Sequence, residues 1–383
     1  MKLEMKPSIA LIAIAMTVAA GGCSGSRNTP SAQAESAPAP RGPLPGMPPV
    51  LDPLDIYAAD RPGQLSPAVS RFPSLIYVPN SGSNTVDIID PKTFRVIRHF
   101  AVGRQPQHVV PSYDLKKLWV LNDLGDSLTR IDPATGQKGE TVKVQDPYNM
   151  YYTPDGKYAI VVAERLRRLD FRNPQTMKLE HSTPVPCRGV DHIDFSADGT
   201  YFIASCEFSA EVLKVDVASR QVMGTLKLQT GAMPQDVKLS PDGRVFYVAD
   251  MHHDGIYLID GEGFKVIGFL PTGRGAHGLY SSRDSKVLYV SNRGEGSVSV
   301  VDFASRKVAH KWVFPKHGSP DMGGVSADGK VLWLAGRYNK EVYAIDTTDG
   351  HLLARIPVGK GPHGLCVYPQ PGRYSLGHTG VFR

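Results

Sequence analysis

Seven residue pairs carry most of the chemistry in this chain. They are Gln107-His108, Tyr148-Asn149, Asp191-His192, Gln235-Asp236, His277-Gly278, Asp321-Met322 and His363-Gly364. Histidine stands in four of them, aspartate in three, and Arg104, Arg188, Arg274 and Lys360 lie just upstream. A neutral imidazole is a common metal ligand and proton acceptor, and a guanidinium fork matches carboxylate or phosphate. Arg104, His108, Arg188, Asp191, His192, Asp236, Arg274, His277, Asp321 and His363 are therefore the candidate ligand-binding set. Histidines and aspartates at strand starts also tie neighbouring repeats together by hydrogen bonds, and that structural role competes at each position. It is weaker for the set, because stitching would favour one residue type throughout.

The metal signal in sequence is diffuse. There is no CxxC or HxxxH spacing, and any ligands would come from separate repeats. Met251-His252-His253-Asp254-Gly255 reads as a solvated loop. No Gly-rich phosphate loop, GxSxG elbow or HExxH helix is present, so no catalytic nucleophile is assigned.

The elements that position these pairs are short strands. Runs rich in Val, Ile, Tyr and Phe alternate with Gly, Pro, Asp and Asn, which is strand-and-turn chemistry. An aliphatic-Asp step recurs at Asp90, Asp132, Asp170, Asp216, Asp260, Asp302 and Asp346. Before each comes a strand: IYVPN, LWVLN, IVVAE, FIASC, FYVAD, LYVSN, LWLAG. The period of roughly 40–45 residues is that of propeller blades. Each blade has four antiparallel strands, A to D from the axis outward. The repeated aspartates read as turn residues bonding nearby amides.

Strands B, C and D occur seven times between Leu75 and Gly359, but strand A only six times in that span. The seventh is the late HGLCVYP, which must join the first blade and close the ring, leaving no free edge. The expected fold is all-β, a seven-bladed β-propeller closed by this C-terminal strand, over residues 75–383. Strand A lies nearest the axis, so the seven pairs should ring one mouth of the central channel. The B-to-C loops add Arg165, Arg167, His252, His253, Arg293 and Arg337 to that face.

VLYVSNRGEGSVSVVDFASRKV and LIYVPNSGSNTVDIIDPKTFRVIRHFAVG resemble the YVTN repeats of bacterial surface and periplasmic propellers. The resemblance to this YncE-like group covers residues 75–370. It implies the fold and kinship with the haem d1 domain of nitrite reductases, but no activity by itself.

Residues 1–22 read as an export signal: Lys2 and Lys6, then an apolar stretch too short to span a bilayer, then Ala20, Gly21 and Gly22. Cys23 follows in a pattern resembling a lipobox and is the expected lipidation site; the alternative is cleavage and release of a soluble envelope protein. Residues 23–74, rich in Pro, Ala, Ser and Gly, read as a tether. The export signal makes a Cys187–Cys206 disulfide plausible, since parity puts both cysteines at one end of a hairpin. Cys366 reads as an unpaired core residue. The net charge of +6 is spread along the chain, with no basic-aromatic run, which argues against a nucleic-acid partner.

The leading expectation is a lipid-anchored scaffold in the cell envelope, without cofactor or turnover, offering its loop face to an anionic small ligand or an envelope protein. The alternative is a metal ion or a haem d1-like tetrapyrrole, with His108, His192, His277 and His363 as candidate axial ligands. A second alternative is lactonase-type hydrolysis. Strand alternation argues against Asp191 and His192 acting together there, since neighbours on a strand face opposite ways.

Overall fold

The computed structural model describes residues 42–378 and 381–383. Seven four-stranded antiparallel sheets stand around one axis. Blade 5 shows how the sequence builds one. Pro234–Leu239, Val245–Asp250 and Gly255–Asp260 are almost wholly buried, whereas the outer strand Lys265–Pro271 is mostly exposed. The turn between the first two strands is tied by Ser240, whose hydroxyl donates to Asp242 Oδ1 and accepts from the Val245 amide. Ser112-Asp114, Thr153-Asp155, Ser196-Asp198, Ser282-Asp284 and Ser326-Asp328 repeat the tie. The aliphatic-Asp steps are turn residues too: Asp90 accepts from the Lys92 amide and Asp302 from the Ser305 amide.

Apolar residues fill the spaces between sheets. Val237, Leu239, Phe246, Val248 and Ile259 of blade 5 pack against Ile203 and Val212 of blade 4. Closure is by Cys366–Tyr368, which pairs antiparallel with Leu75–Asn80 in the register Tyr77↔Cys366 and Leu75↔Tyr368. The first blade is thus assembled from both ends of the propeller sequence.

The innermost strands share an irregularity. In blades 2, 4, 5, 6 and 7 the pairing of strand A with strand B slips by one residue near the strand start, as between Val190 and Ile193. An extra residue there bends the strand and re-aims its side chains. Alternation therefore fails at the Asp191-His192 step, and Nδ1 of His192 lies 2.8 Å from Oδ1 of Asp191. The sequence-based argument that these two face apart is corrected by the bulge.

The tether expectation also needs correction for residues 42–74. This segment runs across the face that bears the A-to-B turns, as a strap. Leu44 donates its amide to the Asp198 carbonyl, and Ile56 to that of Pro241. The Tyr57 hydroxyl donates to the Leu239 carbonyl at 2.6 Å. Leu44, Ile56, Tyr57, Ala59 and Val69 are buried against the blades. Scattered apolar residues among prolines suffice for docking when they land in the grooves between successive turns.

A second element enters from the same face. After the closing strand, residues 369–378 and 381–383 lie against the ring, with Ser375 bridged to Phe382 and Gly377 to Tyr151. Tyr152 donates its amide to the Leu376 carbonyl, and His378 to that of Met150. This C-terminal segment is a plug that reaches the inner strands at Leu376, Gly377 and His378.

Cys187 and Cys206 form a disulfide, with Cα atoms 6.1 Å apart. Cys366 is buried without a disulfide partner. The export signal (residues 1–22), the lipidation candidate Cys23 and residues 24–41 of the expected tether lie outside the described residues. Among the described residues, no helix is long and apolar enough to cross a membrane.

Candidate functional site

The channel has a charged floor. Arg383 is buried, its Nη2 3.1 Å from Oδ1 of Asp194 and its guanidinium 4.8 Å from the centre of the Tyr57 ring. The other Asp194 oxygen accepts from the Leu239 amide at 2.7 Å, and Asp236 Oδ2 accepts from the Leu279 amide at 2.8 Å. Each carboxylate thus ties one inner strand to the next, and Asp236 performs that stitching. Burial lowers Lys238 in this layer, against the opposing pull of Asp194 and Asp236. Strap, plug and ring meet here with their charges matched.

Above the floor stand His108, His192 and His378, all fully buried. Each offers a nitrogen, and the three atoms lie within 4.8 Å of one another. Ring centroids are 5.6 Å apart for His108 and His192, 5.0 Å for His108 and His378, and 4.8 Å for His192 and His378. Neither ring nitrogen of His108 has a hydrogen-bond partner, and neither ring nitrogen of His192 makes an aligned hydrogen bond. The 2.8 Å approach of Asp191 to His192 is a charge contact. On the plug, Asn149 Nδ2 is 3.2 Å from Nδ1 of His378, and Asp236 Oδ1 is 3.9 Å from its Nε2.

Room for His108 is made by a glycine. A Cβ on Gly364 would stand 2.0 Å from Nδ1 of His108. Burial and the neighbouring His363 and His192 hold His108 well below the ordinary imidazole range; burial, His192 and His108 do the same to His378. His192 is the exception: burial pushes it down, but the Asp191 carboxylate outweighs that and its net shift is upward.

Next to this trio lies an ion-pair hub on Asp321. Its Oδ2 is 2.7 Å from Nδ1 of His363, and its Oδ1 is 3.1 Å from both Nδ1 of His277 and Nη1 of Arg293. Arg337 Nε stands 3.9 Å from Oδ2. Burial raises Asp321, but His277, Arg293 and Arg337 prevail and keep it below the usual carboxylate range. His277 also approaches Met322 Sδ at 3.1 Å. His363 connects the hub to the trio, with its ring 4.9 Å from that of His108 and its Nε2 buried and unpartnered.

The loop-face mouth is divided by charge. Glu164 and Glu207, from the B-to-C loops of blades 3 and 4, stand on one side. Burial and the Asp191 charge raise Glu164 to about 8 and Glu207 to about 7. Arg293 and Arg337 stand on the other side. The upstream arginines do not enter: Arg104, Arg188 and Arg274 are exposed. Arg104 and Arg188 each donate to a loop carbonyl, of Leu124 and Phe208 respectively. Arg165 is drawn away to Asp146 at 2.7 Å, and Arg167 to the Cys187 carbonyl.

Of the ten residues expected from sequence, His108, Asp191, His192, His277, Asp321 and His363 therefore gather in the channel, Asp236 serves as a strut beside it, and three arginines remain on the rim. The residue sequence reasoning missed is His378. It lies beyond the repeats, in Gly377-His378-Thr379-Gly380, where the one signal in the sequence was a histidine between two glycines.

These features define a seven-bladed propeller with a buried multi-histidine centre. Residues 58–372 match the YncE-like β-propeller family, to which the chain belongs. Antigen Lp49 of Leptospira interrogans serogroup Icterohaemorrhagiae serovar copenhageni (strain Fiocruz L1-130) is 29% identical over 168 residues, 38% of this chain and 36% of that protein. The chain thus spans about a third of that relative's length in the match. Among solved structures, Kuenenia stuttgartiensis hydrazine synthase superposes with a TM-score of 0.62 at 22% identity, covering 72% of this chain and 93% of that one. Dihydro-haem d1 dehydrogenase NirN in complex with DHE gives 0.60 at 17% identity, covering 80% and 76%. At these identities the likeness concerns the fold.

Proposed function

We propose that this protein is a metal-binding β-propeller that holds one divalent transition-metal ion on His108, His192 and His378. The observation that carries this reading is the convergence of three fully buried imidazoles with nitrogens within 4.8 Å of one another. Burying a polar group without a partner costs about 1–3 kcal/mol. A plain scaffold has no use for the unpartnered nitrogens of His108, whereas an ion would satisfy the one that carries the lone pair. Neutral imidazole suits Zn, Cu, Ni and Fe. Asp191 beside His192 and Asp236 beside His378 supply the carboxylates that commonly orient ligating imidazoles.

Hydrazine synthase and NirN, the latter in complex with DHE, show this architecture among enzymes. A macrocycle does not fit at the histidine level here. The plug occupies the channel below it, and the rings of His108, His192, His363 and His378 pack against one another. A single ion fits where a tetrapyrrole would not.

The export signal and Cys23 support an envelope location, tethered by lipid, with the loop face free. Intact-mass analysis of the mature chain tests the lipid directly. Elemental analysis of the protein purified from its own envelope tests the metal: one ion per chain is expected, lost in His108→Ala and His378→Ala. Metal-free protein that also fails to take up Zn²⁺ or Co²⁺ would remove the reading.

A further inference from the structure

The face crossed by the strap carries a pocket that the metal reading does not use. It lies between blade 5 and the next blade, residues 276–313, and has a volume of about 400 Å³. Pro241, Asp242 and Tyr247 line it from blade 5, and Ser285, Phe303 and Arg306 from blade 6. Elsewhere on this face the strap packs beside turn glycines: Met47 at Gly199, Ile56 at Gly243 and Pro62 at Gly329. Here it supplies Leu54, which is 76% exposed.

Two hydroxyls of the lining, Tyr247 Oη and Ser285 Oγ, are buried and bond to nothing. A buried polar group without a partner costs stability and calls for a cause. The Tyr247 side chain is fully buried. The charges that act on its hydroxyl are those of Arg306, Asp242 and Asp302, all three of them lining residues. The hydroxyl end therefore faces the pocket. Burial pushes this phenol up to about 12, so it keeps its proton and donates. In blade 6, Tyr289 holds the matching third place of strand B, and its hydroxyl meets Thr347, the residue after the Asp346 step. The residue after the Asp302 step is Phe303, whose ring lies 5.5 Å from that of Tyr247 and has no acceptor to offer.

Ser285 is exceptional in another way. Four other A-to-B turns place Gly156, Gly199, Gly243 and Gly329 in the left-handed region, and Ser285 stands there at a φ of 59°. A side chain is unfavourable in that conformation, yet its hydroxyl makes no bond within the turn.

The pocket thus combines a buried donor and a second hydroxyl with the apolar surfaces of Leu54, Pro241 and Phe303. One guanidinium and two carboxylates act on Tyr247, and Lys286 pairs outward with Asp284 at 3.3 Å. An anion gains nothing beside that hydroxyl, and a hydrocarbon leaves it unmet. A carbonyl oxygen accepts without bringing a donor that would itself need a partner. We infer that this pocket binds a small uncharged ring compound bearing a carbonyl oxygen, its ring against Phe303 and Leu54 and its carbonyl accepting from the Tyr247 hydroxyl.

The test titrates the whole chain with 1-tetralone, tetralin and 1-naphthoate, followed by calorimetry. All three share a fused two-ring frame, and the first alone carries an uncharged carbonyl. It is expected to bind at least tenfold more tightly than either of the others, because a site built to hydrogen-bond an oxygen rejects the analogue lacking it. Tyr247→Phe should weaken 1-tetralone at least fivefold, leave tetralin unchanged and leave the free protein no less stable, since the hydroxyl removed has no partner. Ser285→Gly, which restores the residue of four other turns, should also weaken 1-tetralone and raise the thermal midpoint. Equal affinity for 1-tetralone and tetralin, tighter binding of 1-naphthoate, no binding of 1-tetralone, or full binding by Tyr247→Phe would each overturn the inference. Metal content should be the same in every variant, so the two readings stand or fall separately.

Discussion

The two ends of the channel are built from the same residue types and reach opposite outcomes. At the floor, Asp194 meets Arg383 and a backbone amide, and Asp236 meets two amides. Strap and plug close over them. At the loop face, Arg337 Nη1, His363 Nε2 and both nitrogens of His108 are buried with no partner. Burial of charge is common to both; satisfaction is what separates them. A buried polar layer that completes its own bonds holds blades together, and one that does not is poised for something from outside.

The strongest blow to this contrast is Arg383→Ala. It leaves the Asp194 carboxylate buried beside the plug with its guanidinium gone, and loss of one partner of a buried pair costs about 3–5 kcal/mol. Urea denaturation should show a loss of that size, and a loss under ~1 kcal/mol would mean the floor is not a structural layer. Gly364→Ala comes next. Its Cβ must displace the His108 ring, and overpacking of this kind costs about 1–3 kcal/mol. Metal affinity should fall with it, whereas Arg383→Ala lowers stability first.

Acid gives a graded comparison. His108, His277, His363 and His378 are held below the imidazole's ordinary value, chiefly by burial. Their unfolded counterparts take up protons near pH 6.5, while the native rings resist. The share of stability these rings supply to the metal-free protein is therefore full above about pH 6.5 and lost steadily below. His192 works in the other direction, as do Asp60, Asp123, Glu164, Glu207 and Asp236, all raised chiefly by burial or a neighbouring carboxylate. The comparison is therefore made with His277→Phe, against which the wild type should lose stability as pH falls from 7.5 to 5. A difference between the two that does not change over that range would contradict this. The smallest effect is expected at the rim: Arg104→Ala should change stability by no more than about 0.5 kcal/mol and leave metal uptake unaltered. A large effect there would mean the exposed arginines belong to the site after all.

How much of this was legible in the sequence varies with the rule each part obeys. The ring and its closure were readable because they repeat: seven aliphatic-Asp steps and one displaced strand A admit few other arrangements. His108, His192 and His363 were readable because they occupy one phase of that repeat. The approach of Asp191 to His192 was not, because the bulge breaks the alternation on which the reading relied. The strap was misread as a tether because its prolines dominate the composition, while the few residues that dock it, such as Ile56 and Tyr57, form no period. His378 was invisible since it belongs to no blade.

That last residue has a mechanical consequence. A propeller's weak seam is the blade made from two distant stretches of chain, here held by the short strand Cys366–Tyr368. His378 lies just past that seam, while His108 and His192 sit on blades 2 and 4. An ion gripping all three would act as a buckle across the join, so the circle could not spring apart without first giving up its metal. Demetallation and opening of the seam would then be one event.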